Sequence, residues 1–94
     1  MFRDSRTTNG RQKVSLDLRV KGLDVKGNSF EELTKSNDLS DEGISFHLHT
    51  PIWINSHITI EKLLPGEDST PICAMVVRIK SEALDSQLVA ARFD

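Results

Sequence analysis

The sequence predicts an all-β domain, a six-stranded antiparallel β-barrel with a flexible N-terminal arm. Six short apolar stretches are separated by turn-forming residues, and short, evenly spaced strands are typical of barrels and sandwiches. No stretch has the periodicity of an amphipathic helix. The chain has 94 residues, enough for one domain with a modest core. We favour a closed barrel because closure leaves such a small sheet without unpaired edges.

The first two strands differ in regularity. The first has apolar residues at every second position: Val14, Leu16, Leu18 and Val20. This alternation predicts one buried face and one exposed face. After turn-forming residues at 26–28, a second strand is expected over 30–37. Its alternation slips around Glu31, Glu32 and Leu33, which we interpret as a β-bulge.

A group of turn formers at 38–43 precedes the third strand. In that strand Ile44, Phe46 and Leu48 are expected to face inward, and Ser45, His47 and His49 outward. Pro51 ends the strand, because proline cannot donate a hydrogen bond to the ladder. A fourth strand is expected at 58–62, and the Pro-Gly dipeptide at 65–66 predicts the turn that closes it.

The fifth strand, expected over 72–80, is nearly continuous in apolar residues, which predicts burial of both its faces at the centre. Cys73 lies within it and is expected to be a small buried thiol. A polar turn at 85–86 leads into the last strand, at 88–93. Trp53 follows the third strand; we expect it to pack over one end of the barrel, although a tryptophan there could also stack on a ligand.

The charge distribution divides the chain into an arm at residues 1–13 and a barrel domain at 14–94. The arm is polar, has no periodicity and is predicted to be flexible. It carries a charge of +3, from Arg3, Arg6, Arg11 and Lys13 against Asp4, and the remainder carries −5. A basic arm on an acidic body suggests an anionic ligand met by the arm. The net charge of −2 does not favour DNA or a membrane surface as a partner.

The sequence predicts a cytoplasmic protein that is not inserted in a membrane. Its single cysteine cannot form an internal disulfide, so the fold needs no oxidising compartment. No apolar run approaches the roughly 20 residues that span a bilayer. The charged N-terminal residues contain no apolar segment of the kind found in signal peptides. The sequence does not indicate an oligomeric state.

No set of residues has the spacing of a catalytic or metal site, so we expect a binding module and not an enzyme. His47 and His49 lie two apart on one strand and therefore share a face. No further histidine or cysteine stands at ligand spacing, which favours two solvent-facing histidines over a metal site. Cys73 and Ser40 have no adjacent base that could activate them as nucleophiles.

The segment Asp38-Leu39-Ser40-Asp41-Glu42-Gly43 resembles the D/N-x-S-x-x-G motif of the PilZ family. Members of this family are small β-barrels that bind the bacterial second messenger cyclic di-GMP. Asp38, Ser40 and Gly43 match the motif at every fixed position, and the order of strands is similar from Arg6 to Phe93. The family also has two arginines, with three residues between them, before its first strand. Here four residues separate Arg6 from Arg11, so a three-residue spacing would place the first arginine at Thr7.

The resemblance implies a receptor module that binds cyclic di-GMP without any cofactor and relays the signal to a protein partner or a fused effector domain. The ligand-binding residues that it implies are Arg3, Arg6, Arg11, Asp38, Ser40 and Gly43. Arginines suit this ligand because a guanidinium group can pair with phosphate and with the O6 and N7 atoms of guanine. Gly43 would permit a positive φ or a close approach of the ligand. The alternative is an adaptor domain of the same fold that has lost nucleotide binding and acts through protein contacts.

Overall fold

Six antiparallel strands close into a barrel, as the sequence predicts. The structure is a computed structural model that describes residues 15–66 and 70–94, so the arm predicted at 1–13 lies outside the described residues. The strands are β1 (Asp17–Leu23), β2 (Ser29–Leu39), β3 (Gly43–Leu48), β4 (His57–Lys62), β5 (Ile72–Ala83) and β6 (Ser86–Phe93). Around the barrel their order is β1-β2-β3-β6-β5-β4. No helix long and apolar enough to cross a membrane occurs within the described ranges.

The core contains the inward residues that alternation predicts in β1, β3 and β4, together with residues of β5 and β6. The largest fully buried side chains come from all strands except β2: Leu18, Val20, Phe46, Leu48, Ile60, Val76 and Val89. Removing each such side chain from water contributes about 1.5–3 kcal/mol, so this cluster is the main source of stability. Ile52 joins the cluster from the β3–β4 loop. Trp53, expected to pack over the barrel end, is instead 65% exposed, and that expectation was wrong.

The bulge in β2 does not lie where the sequence predicted it. β1 and β2 pair without interruption from Leu23↔Ser29 to Asp17↔Lys35, so the ladder is regular through residues 31–33. The register shift lies further along, between Ser36 and Asp38, where β2 pairs with β3. The apolar pattern slips at 31–33 for another reason: an acidic residue, Glu32, occupies an inward position.

Glu32 lies directly opposite Val20 and therefore shares its inward face. Its carboxylate accepts hydrogen bonds from the backbone N–H groups of His49 (2.8 Å) and Thr50 (3.0 Å) and from the Thr50 hydroxyl (2.7 Å). The neighbouring Leu33 faces outward and is 65% exposed. Glu32 thus satisfies the backbone donors just beyond β3, and this polar role explains an acidic residue at an inward position.

Replacing Glu32 with alanine is expected to lower the free energy of unfolding by about 2 kcal/mol, because it leaves two backbone donors without their charged acceptor. Urea unfolding followed by circular dichroism would measure the loss. The matched control is Glu31→Ala, which removes an exposed carboxylate 3.1 Å from Arg19, a contact worth at most about 1 kcal/mol. Equal losses in the two variants would contradict this role for Glu32.

β5 alternates between the two faces, contrary to the prediction that both are buried. Ala74 and Val76 are fully buried, whereas Val77 is 43% exposed. Cys73 is an exposed free thiol, and its predicted burial was wrong. A register shift against β6 occurs between Val76 and Arg78. Although the sequence of this strand is continuously apolar, its outer face is exposed to solvent.

Candidate functional site

Ser40 organises the tight turn that joins β2 to β3. Its N–H donates to the carbonyl oxygen of Gly43 at 2.9 Å. Its hydroxyl oxygen accepts from the N–H groups of Glu42 and Gly43, both at 3.2 Å. Serine favours such turns because its short side chain can bond to the backbone two or three residues on. In this structure the Ser40 hydroxyl therefore shapes the turn.

Gly43 is required by a close approach between two strands. Its φ is not positive, unlike that of Gly27 and Gly66. A Cβ atom built on Gly43 would lie only 2.4 Å from the carbonyl oxygen of Ala91 on β6. The glycine thus allows the backbone of β6 to pass next to β3, which is a structural reason for glycine at this position.

Asp38 belongs to the end of β2 and not to the turn itself. It lies opposite Ser45 of β3, whose hydroxyl donates to the Asp38 Oδ1 atom at 3.0 Å. Ser45 is on the outward side, as predicted, but only 5% exposed. This hydrogen bond fixes the orientation of the Asp38 carboxylate on the outer surface of the barrel.

A groove extends from Asp38 across the outside of four strands. A row of directly paired residues crosses β2, β3, β6 and β5: Asp38, Ser45, Ala90 and Arg78. Paired residues share a face, so Arg78 lies on the same outer surface as Asp38. The groove encloses about 280 Å³, and its lining residues are Asn37, Asp38, Ser45, Arg78, Lys80, Leu88 and Ala90. The small Ala90 in the middle of the row leaves room for a ligand.

The two ends of the groove differ in charge. The β2 end carries the Asp38 carboxylate and the Asn37 amide, and the β5 end carries Arg78 and Lys80. Within the described ranges Arg78 makes no ion pair, and Lys80 has one exposed partner, Glu82, at 3.9 Å. Two cations next to a hydrogen-bonding carboxylate can hold an anion that also presents N–H donors.

Sequence reasoning missed Arg78 and Lys80 because they lie at the end of a strand that it expected to be buried on both faces. The available signal was their spacing: two residues apart on a strand, they point to the same side. Their position opposite Asp38 depends on the register of β5 against β6, and a single strand does not reveal it. Of the three predicted site residues that the structure describes, Asp38 lines the groove, whereas Ser40 and Gly43 do not.

The first described residues, 15 and 16, lie close to this groove. The Leu16 N–H donates to the Ser36 hydroxyl at 2.8 Å, and the Ser36 N–H donates to the Leu16 carbonyl at 2.9 Å. Ser36 comes two residues before Asp38 on β2. This pair of hydrogen bonds, the Leu16–Ser36 anchor, holds the start of the described chain beside the β2 end of the groove. Arg3, Arg6 and Arg11 themselves lie outside the described residues.

The histidines do not form a metal site with other side chains in the part of the chain that the structure describes. His47 Nε2 lies 3.7 Å from the Glu82 carboxylate. The His49 ring nitrogen Nδ1 lies 2.8 Å from the backbone carbonyl of Asp85. Both contacts are at the outer surface of the barrel, where each histidine has a structural partner.

No family model matches this sequence, and neither does any curated protein. Solved structures do match. The inhibitor of motility MotI/DgrA of Bacillus subtilis is 19% identical with a TM-score of 0.68, over 90% of this chain and 41% of that protein. A complex of K. pneumonia MrkH with c-di-GMP is 18% identical with a TM-score of 0.58, over 89% and 42%. The PilZ domain of CeSA from a cellulose-synthesizing bacterium is 16% identical with a TM-score of 0.59, over 89% and 81%.

The chain therefore spans about two fifths of the length of MotI/DgrA and MrkH. At these sequence identities the comparison concerns the fold, and it agrees with the strand order and the closed barrel described above. The protein thus has a PilZ-like fold.

Proposed function

We propose that this barrel is a bacterial cytoplasmic receptor module for cyclic di-GMP, with the ligand held in the groove between Asp38 and Arg78. The observation that carries the proposal is the groove itself, which combines an oriented carboxylate with two cations on the outer face of a PilZ-like barrel. MrkH, which has a similar fold, was solved in complex with c-di-GMP. On this proposal the module binds its ligand and catalyses no reaction.

The chemistry of the groove suits this ligand. Cyclic di-GMP has two phosphates, which Arg78 and Lys80 would bind through charge-assisted hydrogen bonds. It also has two guanines, and the Asp38 carboxylate would accept hydrogen bonds from their N–H groups. Ser45 contributes by holding that carboxylate in place. In this account Ser40 and Gly43 act on the ligand indirectly, by fixing the turn and the strand that position Asp38.

The arm would supply arginines from its anchor beside the groove. Arg11 lies four residues before Ser15, the first described residue, so its Cα lies within about 14 Å of the Ser15 Cα. Arg6 lies nine residues before Ser15, and an extended chain of that length spans about 30 Å. Both arginines can thus reach a groove whose β2 end adjoins the anchor, and Arg3 can reach its outer parts. One extra residue between Arg6 and Arg11 is tolerable in a segment that orders on binding.

The bound arm would present a different surface from the free arm. A protein partner or a fused effector domain would bind one of these two surfaces in preference to the other. MotI/DgrA and MrkH are both more than twice as long as the part that matches this chain. The extra length of those proteins is consistent with a barrel that works together with further protein regions.

Replacing Arg6 and Arg11 together with alanine should weaken cyclic di-GMP binding at least 100-fold, since each charge-assisted hydrogen bond contributes about 1.5–3 kcal/mol. Titration calorimetry of the full chain would measure this, and the melting temperature should stay within about 2 °C because the arm adds little to the core. Lys26→Ala, an exposed turn residue, is the control.

Two results would count against the proposal. An unaltered protein that gives no heat at about 100 μM ligand would favour the nucleotide-free adaptor. A double variant that unfolds would show that the arm is part of the fold.

A further inference from the structure

The bulge in β2 presents two polar side chains to the same groove. Ser36 pairs with Phe46, and Asp38 pairs with Ser45, so Asn37 is the extra residue with no direct partner on β3. In a regular strand adjacent side chains point to opposite faces, and a bulge changes this direction locally. Asn37 and Asp38 accordingly both line the groove. The result is an amide next to a carboxylate on one surface.

The two side chains differ in how they are held. Asp38 is oriented by the Ser45 hydroxyl at 3.0 Å. Asn37 is half-buried, and its side-chain amide has no hydrogen bond to any residue in the two described ranges. An amide that is withdrawn from part of the solvent and left without a protein partner is available to a ligand. The Asn37 amide can both donate and accept hydrogen bonds, whereas the neighbouring Asp38 carboxylate can only accept them.

We propose that Asn37 is a base-reading residue that, together with Asp38, selects guanine over adenine. This inference rests on the proposed function. Along one edge guanine presents two N–H donors, at N2 and N1, followed by the O6 acceptor. Asp38 would accept from the two donors and the Asn37 amide would donate to O6. Adenine lacks the N2 amine and has an acceptor at N1, so its edge would leave the carboxylate without either of these two donors.

Two substitutions separate base reading from a structural role of Asn37. Asn37→Ala removes the amide. Asn37→Asp keeps the size and the backbone preferences but replaces the donor by an acceptor, which would face guanine O6 unfavourably. Asn28→Ala is the matched control, because Asn28 is an exposed asparagine in the β1–β2 turn. Cyclic di-GMP and cyclic di-AMP are the two probes, and titration calorimetry of the full chain measures both affinities.

We expect Asn37→Ala to weaken cyclic di-GMP binding about fivefold, the effect of one neutral hydrogen bond, and to leave cyclic di-AMP binding unchanged. For Asn37→Asp the preference for cyclic di-GMP should fall at least tenfold relative to the unaltered protein. An added negative charge alone would weaken both ligands equally, so the ratio of the two affinities reports base reading. The melting temperatures of the two variants identify any loss of folding.

If the unaltered protein selects cyclic di-GMP and both variants keep the same ratio, the inference about Asn37 is overturned while the proposed function stands. If the unaltered protein binds neither dinucleotide, the proposed function itself fails. If only the alanine variant is unstable, the isosteric aspartate variant still decides the matter, because the ratio is measured on a folded protein.

Discussion

Gly43→Ala is expected to destabilise the barrel by about 3 kcal/mol, the upper part of the range for overpacking a tight contact. The added Cβ would lie 2.4 Å from the Ala91 carbonyl oxygen. That oxygen belongs to the backbone of β6, so no side-chain rotation can relieve the contact. β3 or β6 must shift, and both strands carry residues that line the groove. We therefore expect cyclic di-GMP binding to be lost together with stability.

Urea and thermal unfolding of Gly43→Ala would measure the destabilisation. Gly66→Ala is the matched control, because Gly66 has a φ of 74° and nothing within 4 Å of its added Cβ. That variant has only a backbone penalty, of about 1 kcal/mol. If the control proved as destabilising as Gly43→Ala, steric contact with β6 would not be the reason for glycine at position 43.

The expected behaviour of Gly43 gives the sequence motif a physical interpretation. Ser40 and Gly43 hold the turn and the strand contact, whereas Asp38 alone of the three lies in the groove. A motif of this kind predicts the fold more strongly than it predicts the ligand. A chain that kept Ser40 and Gly43 would keep the barrel fold whether or not it kept the ability to bind a nucleotide.

Local alternation was enough to predict the number of strands and most of the core. In β1, β3 and β4 the residues predicted to face inward, such as Phe46 and Ile60, are buried. In these strands each inward apolar residue has polar neighbours along the chain, so the pattern is visible without any partner strand. Glu32 broke the pattern in β2 because its partners are the backbone donors of a loop that lies far away in the sequence.

The groove could not be predicted because it depends on pairing between distant strands. Arg78 lies in line with Asp38 only because the pairing of strands across β3 and β6 aligns the two residues. Asn37 enters the groove because of a bulge whose position is set by the pairing of β2 with β3. Neither fact follows from the local order of residues, since a shift of one residue moves a side chain to the opposite face.

Removing both groove cations, with Arg78→Ala and Lys80→Ala together, is expected to weaken cyclic di-GMP binding about 100-fold, since two charge-assisted hydrogen bonds to phosphate contribute about 3 kcal/mol or more. Stability should hardly change, because both side chains are exposed. Binding of the unaltered protein should also weaken as salt is raised, since ions screen exposed charges. The double variant should lose only part of that dependence, because the arginines of the arm would still contact the ligand.

The control for this experiment is the pair Lys21→Ala and Lys26→Ala, which changes the net charge of the protein by the same amount. Lys21 lies on β1, and Lys26 lies in the turn that follows it. β1 is separated from β5, which carries Arg78 and Lys80, by β4. A ligand attracted by overall charge would bind the two double variants equally weakly, and that result would rule out the groove as the phosphate site. A large loss confined to the β5 variant would place the phosphates between Arg78 and Lys80, because the two proteins differ only in where the charge was removed.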